Sequence, residues 1–281
     1  MESNTSGSAL HRLSTMWDSV IGTFIRGGPT WNDELRPWVD AYKSSTEATQ
    51  RIDIAMPEPF NGRLDRMPKA ILLALNPGTA FLGTERWRGR YPMEDLQGYQ
   101  GRFAREILDG DGSYTSWARQ PFNWPSMNGG FPHPFVTSRM HFVSNWTSSM
   151  VDNDEVVWFD LYPWHSKSWG SIDIRDAHLQ HLIDRYVAQP IAALNSPWTF
   201  AFGKPWFTVL PSIGFQRLAV LGGPGTKLWS NQTPSRRVGI FENPTTKCRI
   251  IAMYHSGGAG PPKSTEVDSL RDLVLTTINP K

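Results

Sequence analysis

The sequence predicts an α/β fold with three layers, in which helices cover both faces of a central, mainly parallel four-stranded sheet. Four short apolar runs each end at a turn that contains Gly or Pro, as is typical of strands buried in a parallel sheet. Helical repeats lie between some of these runs, which is the order of a βαβ unit. The 281 residues, 39% of them hydrophobic, suffice for a large buried core.

Polar residues follow the four predicted strands at their carboxyl ends. The strands are residues 70–75, 156–159, 198–202 and 250–254, and the turns after them are Asn76-Pro77-Gly78, Asp160-Leu161-Tyr162-Pro163, Gly203-Lys204-Pro205 and His255-Ser256-Gly257-Gly258. Ligands of open parallel sheets bind at the carboxyl ends of the strands. We therefore expect Asn76, Asp160, Lys204 and His255 to line one crevice.

Helical spacing predicts two helices after the second strand. Asp173 is placed to cap the first, which Pro190 perturbs near its end and whose apolar repeat is Leu179, Leu182, Ile183, Tyr186 and Val187. The last helix is predicted to begin near Ser264, and its inward-facing residues are Val267, Leu270 and Val274.

The other segments predict the domain organisation. Residues 15–55 have a helical pattern, so residues 1–60 are expected to form an N-terminal helical brace for an α/β domain over residues 61–281, all in one compact unit. Residues 237–251 are hairpin-like and would add a strand pair. Residues 79–150 are rich in Gly, Pro, Trp and Arg without clear periodicity, which predicts an insertion over the crevice.

Composition limits the classes of protein and of cofactor. Cys248 is the one cysteine, so an internal disulfide, a four-cysteine zinc site and an iron–sulfur cluster are excluded, and we interpret it as a core residue. We expect no metal and no cofactor. No apolar run approaches the roughly 20 residues of a membrane helix, and residues 1–14 do not resemble a secretory signal. The expectation is a cytoplasmic monomer without a membrane partner.

Positive charge is concentrated in the C-terminal third of the chain. The whole protein has a formal net charge of +2, but residues 200–263 contain eight basic residues and one acidic residue, Glu242. A segment with a net charge of +7 indicates a face that attracts a polyanion. A solvated surface with scattered lysines is the alternative.

The motifs at the strand ends resemble those of the uracil-DNA glycosylase superfamily. Asn76-Pro77-Gly78 is similar to its water-positioning loop in the branches that carry Asn-Pro-Gly, and His255 is similar to the histidine that opens its second motif. The resemblance covers residues 70–263. It implies a uracil-DNA-glycosylase-like fold and a DNA glycosylase that flips a pyrimidine out of the helix, hydrolyses its glycosidic bond and leaves an abasic site.

The resemblance also implies roles for individual residues. Asn76 would hold the attacking water, and His255 would stabilise the negative charge that develops on the base O2. Phe81 would stack on the base. The expected DNA contacts are Lys204, Ser256, Gly257, Gly258 and Lys263, the glycines because a glycine-rich loop approaches phosphates closely.

Asp160 departs from the family, which usually places a base-reading asparagine at the end of the second strand. An ionised aspartate only accepts hydrogen bonds, which suits the N4 amino group of cytosine and opposes the O4 of uracil. We therefore expect a cytosine derivative as the target. One anti-phage branch of the superfamily removes glucosylated hydroxymethylcytosine from viral DNA, and the sequence contains tryptophans on which a sugar could stack: Trp87, Trp117, Trp124, Trp164 and Trp169.

Several alternatives stay open from the sequence. Asp160 could instead cap a loop or bind an arginine, and each tryptophan could simply pack in the core. The protein could be a repair glycosylase for uracil or thymine in mismatches, or a DNA-binding module without catalytic activity. A nucleotide-binding ATPase is suggested by the glycine-rich run Gly222-Gly223-Pro224-Gly225-Thr226-Lys227. This run lacks the Gly-Lys-Ser/Thr ending of a phosphate loop, which argues against an ATPase.

Overall fold

A seven-stranded sheet forms the centre of the protein. The computed structural model describes residues 3–43, 56–77, 106–119, 134–165, 170–222, 228, 237–254, 261–262 and 264–279. Within them, the strands are β1 (Tyr42–Lys43), β2 (Phe60–Asn61), β3 (Ala70–Ala74), β4 (Val156–Asp160), β5 (Ser171–Ile172), β6 (Thr199–Phe202), β7 (Gln216–Gly222), β8 (Arg237–Glu242) and β9 (Arg249–Met253). The sheet has the order β2-β4-β3-β6-β9-β8-β7, and β1 pairs with β5 separately.

The four apolar runs of the sequence are β3, β4, β6 and β9, and each pairs in parallel with its neighbour in the order β4-β3-β6-β9. The general α/β class is confirmed, whereas the sheet as a whole is neither four-stranded nor mainly parallel. Antiparallel β2 covers the free edge of β4, and β8 and β7 extend the sheet beyond β9, so three of its six pairings are antiparallel. These strands satisfy the backbone groups that the outer parallel strands would otherwise leave unpaired.

Helices lie on both faces of this sheet. In chain order, the described helices are α1 (Ser3–Ile25), α2 (Arg36–Ala41), α3 (Tyr114–Ala118), α4 (Pro134–Thr147), α5 (Ala177–Ile183), α6 (Gln189–Leu194), α7 (Trp206–Ser212) and α8 (Ser264–Ile278). Along β3, Ile71 and Leu73 join a core with α1, α2 and α5 to α7, while Ala70 and Leu72 join a second core with α4 and α8. This alternation is the period of two that a strand between two helical layers requires.

The helix after β5 begins later than the sequence analysis expected. Its N-cap is Asp176, whose carboxylate accepts a hydrogen bond from the His178 backbone N–H at 2.8 Å, so the prediction of Asp173 as the cap is wrong. Asp173 instead pairs with Arg175. A π-helical turn at Asp184–Ala188 joins α5 to α6, and Pro190 falls in the first turn of α6, where its missing N–H is tolerated.

The last helix agrees with the sequence analysis, and the hairpin agrees in part. α8 begins at Ser264, and its three predicted inward residues, Val267, Leu270 and Val274, are buried. β8 and β9 pair antiparallel within residues 237–251, as a hairpin would, but β9 is also the fourth central strand, so this segment adds only β8 to the sheet and not an extra pair. At the N-terminus, α1 begins before the predicted helical region and contacts α3 and α6, while residues 44–55 lie outside the described residues.

Cys248 is half-buried against the first core, and burial raises the pKa of its thiol to about 12. No helix among the described residues is both long and apolar enough to span a bilayer.

Candidate active site

The carboxyl ends of β3 and β4 are held side by side by a continuous row of backbone hydrogen bonds. Ala74 is in register with Asp160, and beyond the strands the Leu161 N–H donates to the Ala74 carbonyl at 3.1 Å and the Tyr162 N–H to the Leu75 carbonyl at 2.9 Å. Asn76 follows at once and is partly buried. The pairing therefore places the asparagine and Asp160 at the ends of adjacent strands.

The loop after β6 packs closely against the loop after β3. The Gly203 N–H donates to the Met253 carbonyl at 2.9 Å, and Gly203 has a φ of +120°. A Cβ atom at this position would lie 2.9 Å from Leu75 Cδ1, so glycine is needed both for its backbone conformation and for this approach. Lys204 follows and is exposed at the same edge of the sheet as Asn76 and Asp160.

Three of the four residues expected to line the crevice are thus at one edge of the sheet. The fourth, His255, lies outside the described residues, but it directly follows Tyr254, which is the first residue after β9. The other predicted site residues that lie outside the described residues are Phe81, Ser256, Gly257, Gly258 and Lys263.

Burial and electrostatics make Asp160 an unusual carboxyl. Its Oδ1 is shielded from solvent and accepts no hydrogen bond from a described residue, although some surface of the residue is exposed. Burial, and to a smaller extent the negative charge of Glu58, raise the pKa of Asp160 well above its usual value. This shift extends the pH range over which Asp160 stays protonated. An ionised carboxylate, the form expected from the sequence, only accepts hydrogen bonds, whereas a protonated carboxyl both donates and accepts.

Glu58 and His165 form a second polar group beside Asp160. Glu58 Oε1 lies 3.1 Å from Nε2 of His165, whose side chain is fully buried. The Glu58 N–H donates to the Pro163 carbonyl at 2.8 Å, and the Asp160 N–H donates to the Pro59 carbonyl at 3.2 Å. Two backbone hydrogen bonds therefore fix the segment before β2 against the segment at the end of β4.

Tyr114 of α3 completes this buried group. Its hydroxyl donates a hydrogen bond to the Phe60 carbonyl. Burial is the main cause that raises the pKa of Tyr114, and the charge of Glu58 adds to it. Sequence analysis did not identify Glu58, Tyr114 or His165, because no spacing in the chain connects these positions with residue 160.

A pair of cations flanks Tyr254. Lys204 Nζ and Arg237 Cζ each lie 5.8 Å from the centroid of its ring. The Tyr254 N–H donates to the Arg237 carbonyl at 2.8 Å, and the ring of Phe207 packs edge-on against Tyr254 at 5.1 Å. Arg237 and Tyr254 were not predicted as site residues. Arg237 could have been selected from its position in the basic segment and at the start of the hairpin.

Arg139 of α4 is a buried cation on the other face of the same edge. Its guanidinium Cζ lies 4.9 Å from the ring centroid of Phe202, the last residue of β6. Burial lowers the pKa of Arg139 to about 9. The sequence pattern of α4 did not identify this residue, because its burial depends on the sheet beneath it.

Two of the five tryptophans considered for stacking on a sugar are described. Trp164 is fully buried and donates from Nε1 to the Thr30 carbonyl at 3.0 Å, so it is a core residue and is not available to a ligand. Trp117 is half-buried against the first core. The other three, Trp87, Trp124 and Trp169, lie outside the described residues.

Within the part of the chain that the structure describes, no group of three or more His, Cys, Asp or Glu side chains is arranged to hold a metal ion. Comparison with known proteins gave no matching family model, no matching curated protein and no matching solved structure.

Proposed function

We propose that the protein is a monofunctional DNA glycosylase that flips out a modified pyrimidine, hydrolyses its glycosidic bond and leaves an abasic site. The observation that carries this proposal is the position of Asn76 and Asp160 at the carboxyl ends of adjacent parallel strands, one an amide and the other a buried acid. A flipped base needs a hydrogen-bonding partner for its edge in a pocket away from water, and the sugar needs a positioned nucleophile.

In the proposed mechanism, Asn76 accepts a hydrogen bond from the attacking water and holds its oxygen near C1′ of the sugar. The C1′–N1 bond breaks as the C1′–O bond forms, and the bonding electron pair moves into the base and reaches O2. His255 would donate a hydrogen bond to this oxygen, an interaction of the kind that typically contributes about 3–4 kcal/mol. The water keeps one hydrogen as the new C1′ hydroxyl and releases the other as a proton to solvent, while the base leaves with the electron pair and takes up one proton from solvent.

Asp160 would recognise the Watson–Crick edge of the base. In its protonated form, the hydroxyl donates to cytosine N3 while the carbonyl oxygen accepts from the N4 amino group. This pairing is compatible with a cytosine derivative as the substrate, and glucosylated hydroxymethylcytosine in phage DNA is the derivative that we propose. The protein would then act as a monomer in the cytoplasm, where phage DNA is exposed to it, as part of antiviral defence.

The protonated state of Asp160 also favours a second candidate. The same carboxyl can accept from uracil N3–H and donate to uracil O4, so a repair glycosylase for uracil or thymine in mismatches is compatible with this site. Only the ionised carboxylate would oppose uracil O4, and the burial of Oδ1 disfavours that form.

An oligonucleotide panel tests the proposal and separates these candidates. Duplexes containing uracil, hydroxymethylcytosine or glucosylated hydroxymethylcytosine are incubated with the protein, and the released bases are identified by mass spectrometry. We expect release of the cytosine derivative, and strand breaks only after alkali treatment. Release of uracil alone would end the cytosine proposal, and strand breaks without alkali would indicate a lyase.

The variant Asn76→Ala supplies the catalytic test, and Asn153→Ala is its matched control. Asn153 lies at the amino end of β4, the opposite end of the strand from Asp160. We expect Asn76→Ala to lower base release by a factor of 100 or more, by the order of magnitude of a positioning group, while DNA binding persists. A protein that binds DNA but releases no base from any substrate would be the non-catalytic module.

A further inference from the structure

Charge pairing in the basic segment leaves two cations together at the edge of the candidate site. Glu242 is the one acidic residue in that segment, and it forms ion pairs with Arg249 at 2.7 Å and Lys247 at 3.6 Å. Among the described residues, Lys204 and Arg237 form no ion pair with a carboxylate. Both are exposed. The two cations lie beside the same ring, within about 12 Å of each other, where an anionic ligand could contact both.

The Tyr254 ring beside these cations is held in place by packing. Phe207 contacts both Tyr254, at 5.1 Å, and Phe241, at 5.6 Å, in nearly perpendicular arrangements. Phe207 fits there because Gly239 lacks a side chain; a Cβ at this position would lie 2.8 Å from Phe207 Cε1. Tyr254 is therefore a fixed aromatic surface at the end of β9.

The position of this group relates it to the candidate active site. β9 pairs in parallel with β6, and β6 pairs in parallel with β3, so Tyr254, Lys204 and Asn76 follow three adjacent strands at one edge of the sheet. A strand whose base enters the site near Asn76 and Asp160 would continue along this edge. Its phosphates would be within reach of Lys204 and Arg237.

We propose that Lys204, Arg237 and Tyr254 form a binding site for the phosphodiester backbone of a nucleic acid strand. Lysine supplies a point charge and arginine a planar fork of donors, and both groups bind phosphate oxygens. The ring of Tyr254 beside these cations offers an aromatic surface to a base of the same strand. This inference rests on the proposed function, because it names the contacts that hold the substrate of that site.

The salt dependence of DNA binding tests the site without base release. Affinities of the full chain for an unmodified duplex and for the single strand are measured by fluorescence anisotropy between about 50 and 200 mM NaCl. The slope of log K against log salt is negative, and each lost phosphate contact reduces its magnitude by about 0.9 for duplex and about 0.7 for single-stranded DNA. We expect these decreases for Lys204→Gln and for Arg237→Gln, and twice the decrease for the double variant.

Arg217→Gln is the matched control. Arg217 is exposed on β7 and forms no ion pair with a described residue. In the strand register, Arg217 lies opposite Phe241, whereas Arg237 lies opposite Gly222 at the other end of β7. The variant removes the same charge about 15 Å away along the strand, so its slope is expected to match the wild type. An unchanged slope in the double variant, or an equal decrease in Arg217→Gln, would overturn the proposal.

Tyr254 is tested with two substitutions. Tyr254→Leu removes the ring and is expected to weaken binding of the single strand by about 5- to 150-fold, the range that corresponds to one stacked base. Tyr254→Phe keeps the ring and is expected to bind as the wild type does. Equal binding by the leucine variant would exclude stacking.

The outcomes of these experiments separate the two proposals. If no base is released from any substrate but the lysine and arginine variants reduce the magnitude of the slope, the phosphate site stands and the glycosylase chemistry fails. If base is released and the slope does not change, the chemistry stands and this site is wrong.

Discussion

Replacing Asp160 by asparagine removes a titratable carboxyl from the edge of the sheet and keeps the size of the side chain. Burial and the charge of Glu58 raise the pKa of Asp160 in the folded protein well above that of the unfolded chain. Above the unfolded pKa of about 3.9, the unfolded chain releases this proton while the folded protein retains it. The stabilisation that Asp160 provides through proton binding is therefore complete below about pH 4 and is lost as the pH rises through the folded pKa.

The size of this effect follows from proton linkage. Between the unfolded and the folded pKa, the free energy of unfolding of the wild type falls by about 1.36 kcal/mol for each pH unit because of this one carboxyl. Asparagine does not titrate, so the variant loses none of this stability. The difference in stability between Asp160→Asn and the wild type is expected to grow in favour of the variant as the pH rises from about 4.

Urea unfolding of both proteins at several pH values measures this difference. Glu155→Gln is a control of opposite sign, because hydrogen bonds from Lys69 and from the Asp152 backbone lower the pKa of Glu155. The stabilisation by Glu155 is present above its unfolded pKa and is lost as the pH falls. If the stabilities of Asp160→Asn and the wild type stay parallel at all pH values, Asp160 is ionised in the folded protein and the argument is refuted.

Three further substitutions test the packing that supports the site, and urea unfolding measures each of them. Gly203→Ala forces a Cβ into Leu75 at a positive φ, so we expect a loss of about 1–3 kcal/mol and slower base release; unchanged values would show that the loop after β6 adapts freely. Trp164→Ala leaves a cavity in the first core and is expected to cost about 3–5 kcal/mol, and a cost below about 1 kcal/mol would contradict its burial. Asp176→Ala removes the cap of α5 and is expected to cost about 1 kcal/mol, whereas no cost would remove its assignment as the N-cap.

The central strands could be predicted from sequence because they are buried on both faces. Every residue of β3 and of β6 is buried, which gives a continuous apolar run that ends where the chain returns to solvent. β7 could not be identified in this way, since it is the outer strand of the sheet and Gln216 to Leu218 are exposed. β2 is only two residues long and leaves no periodic pattern.

The strand-end residues were found by a rule of topology, and their neighbours were not. Parallel strands bring their carboxyl ends to one edge whatever the length of chain between them, so Asn76, Asp160 and Lys204 could be grouped from sequence. Glu58 reaches Asp160 through an antiparallel edge strand that the sequence did not reveal. Asp173 was predicted as a helix cap because aspartate is a suitable residue type. The structure has Asp176 as the N-cap, because the position of the cap depends on where the backbone enters the helix.

The protonation state of Asp160 is the property of the site that sequence is least able to provide. Aspartate and asparagine differ by one group, and a protonated aspartate has nearly the same donors and acceptors as an asparagine. Burial of Oδ1 and the charge of Glu58 favour the protonated form of Asp160, whose hydrogen-bonding groups resemble those of an asparagine. The difference returns only when the acid ionises, since a carboxylate accepts from cytosine N4 and opposes uracil O4. In the proposed glycosylase, an aspartate at the end of β4 would therefore couple the choice of base to the protonation state of its carboxyl, and an asparagine there would not.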